Sequence, residues 1–152
     1  MIPDEKWLAA VMASESNDER HWPYIGWVVR NRVEARGFRK TYAGVVRQPD
    51  QFSYWNATAQ LSDEEAYAAA KSDTRRITPL LKNAEEYARW ILAAPRAEAP
   101  VSADTFYFYS PRSMLPPGRM PAWFKKLYRF VPPGIDPWYF IFGAESAPDT
   151  LG

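Results

Sequence analysis

Up to Pro100 the apolar residues of this chain recur every three or four positions, and beyond it they come as short aromatic runs. That change of period limits the fold to a helical body followed by a small extended element. Asp4 stands where a cap belongs, ahead of a first helix with Trp7, Leu8, Val11 and Met12 on one stripe and no pattern left by Asn17. A second helix is expected from near Pro23, with Ile25, Val28, Val29 and Val33 on one face, as far as Gly37. A short helical turn covers Tyr42 to Arg47, and Pro49 to Asn56 reads as loop. Ser62 and Glu65 form a capping-box pattern opening an alanine-rich helix to about Lys71. Leu80, Leu81, Ala84, Tyr87, Ala88 and Ile91 mark a further helix closed by Pro95. The runs Phe106 to Tyr109 and Trp138 to Phe142 favour extended structure, joined by a proline-rich, basic connection. The expected fold class is mainly α (α+β), one domain over residues 1–142 with a flexible tail over 143–152, and no internal repeat.

A chain of 152 residues with 47% hydrophobic and 24% charged residues can bury a core, and no stretch nears the roughly 18 apolar residues of a membrane span. Stable membrane insertion is therefore not expected. The net charge of +1 creates no field that would call for a nucleic-acid partner. Basic residues do cluster, with Arg30, Arg32, Arg36, Arg39, Lys40 and Arg47 set against Glu34 alone, and an arginine-rich second helix is where DNA retention would arise if it occurred. With no cysteine there is no disulfide or thiolate chemistry, and His21, the one histidine, has neither a metal-ligand partner nor a triad motif. No metal and no cofactor is expected. Acids near the N-terminus argue against an ordinary signal peptide, so synthesis in the cytoplasm is expected. Aromatics make up 16% of the chain, and their amphipathic faces suit ligands such as sugars.

Glu15 is the most informative position. It lies four residues after Val11 and seven after Leu8, which puts a carboxyl on the apolar stripe at the end of the first helix, where the helix dipole disfavours acids. Asp18 and Glu19 stand close by in sequence. Such surroundings raise a carboxyl pKa, and a carboxyl protonated near neutrality is the general acid that glycosidic cleavage needs.

Glu15 and Glu19 at a spacing of four, the segment Val28-Val29-Arg30-Asn31-Arg32-Val33 and the run Gly44 to Ser53 ending in Gln51-Phe52-Ser53 resemble the cell-wall hydrolases of the spore-cortex-lytic type. Phe108-Tyr109-Ser110-Pro111 and Pro121-Ala122-Trp123 are similar to further pieces of that pattern. The family's histidine in the aromatic run falls near Tyr107, and its second one has no counterpart in Gly134 to Trp138. The resemblance implies a lysozyme-like domain that cleaves the β-1,4 bond between N-acetylmuramic acid and N-acetylglucosamine in peptidoglycan, with Glu15 as catalytic acid. It implies a lytic transglycosylase, in which one glutamate serves twice. A hydrolytic, muramidase outcome would draw on a partner acid, with Glu19, Asp50 or Asp136 available.

Gln51 is positioned to bond a sugar acetamido group or to hold its own loop, and Tyr107, Tyr109, Trp55 and Tyr139 are stacking candidates, with Trp123 a further one. Asn31 and Arg32 read as structural ties. Taken together the expectation is a monomeric, phage-encoded endolysin acting on the wall after membrane permeabilisation, in the host cytoplasm or carried in a virion. The alternative is a non-catalytic glycan-binding or virion structural domain of the same fold.

Overall fold

The computed structural model describes residues 1–147 and divides into two compact units, Met1–Pro100 and the residues from Val101 onward. The first unit is helical. Helix α1 (Asp4–Glu15) has Pro3 rather than Asp4 at its cap position, while Asp4 and Glu5 place negative charge in the first turn, where the helix dipole favours it. Every residue from Trp7 to Ser14 is buried, so α1 is not a one-sided amphipathic helix but the central element of the unit. Around it pack α2 (Trp22–Glu34), α3 (Tyr42–Arg47), α4 (Asp63–Lys71) and α5 (Leu81–Ala93). The small side chains of Ala9, Ala10 and Ala13 let neighbours come close on the sides that the larger residues leave. At Gly26 of α2 a Cβ would lie 2.9 Å from the Met12 sulfur and overlap the end of Ile91, so only glycine permits α1, α2 and α5 to approach so closely.

The local signals act as their chemistry dictates. Thr41 caps α3 by accepting the Gly44 N–H at 2.9 Å. Ser62 and Glu65 form a complete capping box on α4. Helix α2 ends at Glu34, three residues short of the expected Gly37, because Ala35 is already extended. Of the basic residues that suggested a polyanion-binding face, Arg30, Arg32 and Arg47 are turned into the protein, while Arg36 and Arg39 are exposed. Arg30 donates to the carbonyls of Ile91 and Ala94, each at 2.7 Å, at the end of α5. Arg47 donates to Asp63, Thr58 O and Leu61 O, and Arg32 is buried.

The second unit contains a three-stranded antiparallel sheet of β1 (Thr105–Tyr109), β2 (Tyr128–Phe130) and β3 (Ile141–Ala144) in the order β1-β3-β2. Tyr107 pairs with Gly143, Tyr109 with Ile141 and Phe130 with Phe142. Phe106, Tyr109, Phe124, Phe140 and Phe142 form its aromatic core. The expected extended run starting at Trp138 begins only at Ile141, because Asp136 takes the Trp138 N–H on its carboxylate at 2.9 Å and the Tyr139 N–H on its carbonyl at 2.9 Å, which makes a turn. Strand β3 takes in Gly143 and Ala144, so the expected tail boundary at 142 falls inside a strand. Asp104 then holds the chain beyond it through Glu145 N and Ser146 N. Residues 148–152 of that expected tail lie outside the described residues. The fold is mainly α with a small sheet near the C-terminus, as the change of period at Pro100 required.

Candidate active site

Helix α1 stops at Glu15 because Ser16 turns to extended backbone, φ −155 and ψ 141. The residues on both sides of Glu15 are tied down. Ser14 is buried, donates its hydroxyl to Val11 O at 2.8 Å and accepts the Trp55 indole N–H at 3.2 Å. Ser16 O accepts the Trp22 indole N–H at 2.9 Å, while its hydroxyl meets His21 Nδ1 at 2.7 Å and accepts the Asp18 N–H at 3.0 Å. The backbone that carries the Glu15 carboxyl is thereby fixed before any ligand arrives.

Glu15 itself is half-buried, packed closely enough to lose much of its hydration while keeping part of its surface open to water. Burial pushes its carboxyl up from 4.5 to about 7, and the attraction of Arg76 and Arg32 opposes that rise without cancelling it. The neighbouring acids contribute less than their nearness in sequence suggests. Arg20 grips Asp18 at 2.7 Å and holds its carboxyl down at about 2. Desolvation, not repulsion between carboxylates, is therefore what keeps Glu15 protonated near neutrality.

The two cations come from distant segments. Arg32, 3% exposed on α2, places its guanidinium 5.1 Å from the Phe52 ring and 5.4 Å from the Phe38 ring. Expected as a structural tie, it also acts on the Glu15 charge. Its neighbour Asn31 is structural, accepting from Arg96 at 2.7 Å. Arg76 is exposed, lies over the Tyr54 ring at 5.2 Å and reaches Ser14 O at 3.5 Å. Nothing in the sequence signalled Arg76, since its nearness to Glu15 is made entirely by the fold across 60 intervening positions.

Glu19 does not share a helix face with Glu15. The break at Ser16 moves it to a separate 3-10 turn (Glu19–His21), where it is exposed and its charge bears on Tyr87 of α5. The spacing of four between Glu15 and Glu19 is therefore not a helical i,i+4 pair, in keeping with a helix pattern that is lost by Asn17. Trp55 is corrected: at 2% exposure, 5.6 Å from Trp7, it belongs to the core and supports Ser14 instead of offering a face to a sugar. Gln51 is exposed in the turn that follows Pro49, and Asp50, at φ 63, exchanges hydrogen bonds with Asn56 that shape the same loop.

In the second unit Tyr107 is half-buried against Trp123 at 5.5 Å. Tyr109 is buried against Phe124 at 4.7 Å, which leaves it little face for a ligand. Tyr139 is 38% exposed beneath Arg112, whose guanidinium is 5.0 Å away.

A carboxyl on a fixed stretch of backbone, raised by burial to about 7 and still open to water, has the properties that general acid-base chemistry requires. Residues 17–131 match the family model described as Cell Wall Hydrolase, and the chain belongs to that family. The match begins at Asn17, just past Glu15, and takes in Arg32, Gln51, Arg76, Tyr107 and Tyr109, while Tyr139 lies beyond it. No curated protein and no solved structure matches the chain. Membership makes it a cell-wall hydrolase, with peptidoglycan as the implied substrate.

Proposed function

We propose that the protein is a lytic transglycosylase that cleaves the β-1,4 bond between N-acetylmuramic acid and N-acetylglucosamine, with Glu15 as its general acid and then its general base. The observation that carries this reading is the Glu15 carboxyl, held at about 7 by burial at the end of a buried helix. Protonated, it gives its proton to the glycosidic oxygen as the bond from that oxygen to the muramic acid C1 breaks, and the sugar ring becomes oxocarbenium-like. As a carboxylate it then takes the proton of the 6-hydroxyl, whose oxygen bonds to C1 and closes a 1,6-anhydro ring. Both steps suit a single group with a pKa near the working pH.

A muramidase outcome, with water as acceptor, would lean on a partner acid. Two candidates for that role are otherwise engaged, Asp50 with Asn56 and Asp136 with the turn at Trp138, and Glu19 stands on an exposed turn off the helix. This favours the one-carboxylate route. A non-catalytic glycan-binding role leaves the burial of an ionisable group at this position without a purpose.

The test is loss of turbidity of purified cell walls followed by mass spectrometry of the released fragments. Wild type should clear the walls and release 1,6-anhydro ends, and Glu15→Gln should not. Reducing ends would assign a muramidase, and equal clearing by both proteins would remove Glu15 from the mechanism. An endolysin role belongs to the same proposal: cells producing the protein should stay intact until their membrane is permeabilised and lyse then.

A further inference from the structure

The arginines of the first unit fall into two kinds. Arg30 and Arg47 spend their donors inside the protein, each on two backbone carbonyls and one carboxylate. Arg76 does not. Among the described residues its guanidinium has one acceptor, Ser14 O at 3.5 Å, the outer limit of a hydrogen bond. A guanidinium carries five N–H donors, so most of those on Arg76 face water.

Arg76 is nonetheless held firmly. Asp73 Oδ1 accepts the backbone N–H groups of Arg75 at 3.2 Å and Arg76 at 3.1 Å, which sets the turn after α4. Asp73 Oδ2 accepts the Tyr54 hydroxyl at 2.8 Å, and the Tyr54 ring underlies the guanidinium. Burial and that bond to Asp73 push the Tyr54 hydroxyl up to about 12, so it stays a neutral donor over the working range. An exposed cation with spare donors, braced by a tyrosine and a carboxylate and reaching the residue before Glu15, is organised for an anion from outside.

We propose that Arg76 is the anion-binding residue of the glycan site, taking a carboxylate carried on the muramic acid residue beside the bond that Glu15 protonates. This rests on the reading of Glu15 as the catalytic acid. Two sources supply such a carboxylate: the peptide stem, and the lactyl group once the stem has been removed. The planar fork pairs with either in bidentate fashion. A neutral chitin strand offers none.

Calorimetric titration in a Glu15→Gln background tests the idea apart from catalysis. The E15Q protein and the E15Q/R76Q double variant are titrated with a stem-bearing muramyl tetrasaccharide, its stem-free form and chitotetraose. Loss of Arg76 should weaken binding about tenfold for at least one carboxylate-bearing probe, as expected for a charge-assisted hydrogen bond, and leave chitotetraose unchanged. The difference should shrink at high salt, and R76K should recover part of it. Loss confined to the stem-bearing probe names the stem carboxylate, and loss confined to the stem-free probe names the lactyl one.

Equal binding by both proteins to all probes, equal weakening on all three, or no binding of any probe by E15Q would overturn the proposal. Binding with the expected Arg76 effect, but no cleavage by wild type, would sink the role of Glu15 and leave Arg76 standing. Circular dichroism of R76Q verifies that this exposed position does not affect folding.

Discussion

Removing the charge at Glu15 should make the protein more stable while it ends catalysis, and the effect should depend on pH in one direction only. In the folded state the carboxyl titrates near 7, against about 4.5 for the unfolded chain. The folded state therefore binds this proton more tightly, so stability is full below about 4.5, declines between 4.5 and 7, and levels off above. At about 1.4 kcal/mol per pH unit, the ionised group costs the fold about 3 kcal/mol at pH 8. Glutamine has nearly the same shape and never ionises. Urea denaturation followed through the buried tryptophans Trp7, Trp22 and Trp55 should show E15Q near wild type at pH 4 and more stable by up to about 3 kcal/mol at pH 8. Other titrating groups, Asp18 among them, act equally in both proteins and cancel in the difference. Activity should fall by roughly two to four orders of magnitude, the share general acid catalysis supplies. A difference curve that is flat from pH 4 to 8 would show that burial does not hold the Glu15 proton and would remove the basis for its role.

Arg76→Gln removes a cation that lowers the Glu15 pKa, so the alkaline limb of the activity profile should move to higher pH; an unchanged limb would mean the two groups do not interact. Gly26→Ala should cost about 1–3 kcal/mol by urea titration, because its methyl meets the Met12 sulfur and Ile91 where three helices converge. Trp55→Ala should lower stability by about 3–5 kcal/mol as a core cavity, whereas a sugar-stacking residue would instead weaken glycan binding and leave stability intact. Ser62→Ala should cost about 1 kcal/mol through loss of the α4 capping box, read by thermal denaturation.

What could be read from the sequence was what neighbours along the chain decide. The capping box at Ser62, the short helix from Tyr42 to Arg47 and the end of α1 near Glu15 all follow from residues within one or two turns. The burial of α1 on all sides did not, since Ala9, Ala10 and Ala13 are neutral in a periodicity pattern and are buried only because four helices surround them. Glu15 was legible as a carboxyl out of place, and its apolar setting as a cause of a raised pKa, whereas the share expected of the neighbouring acids is not among the causes. Asp18, which looked like a repelling neighbour, is neutralised by Arg20 two residues on. Arg76 and the buried Arg32 enter only through tertiary structure, and Trp138 and Tyr139 were drawn out of an otherwise regular aromatic run by one aspartate that makes a turn.

Helix α1 behaves like a beam clamped along its length with its working tip left protruding. Any strain that an altered α2, α3, α4 or α5 transmits to it is delivered at that tip, where, with Glu15 in the proposed role, a displacement of a fraction of an ångström decides whether a proton reaches its target. Activity should then register repacking deep in the helical unit well before the protein comes apart, which makes catalytic rate a finer gauge of interior fit than melting.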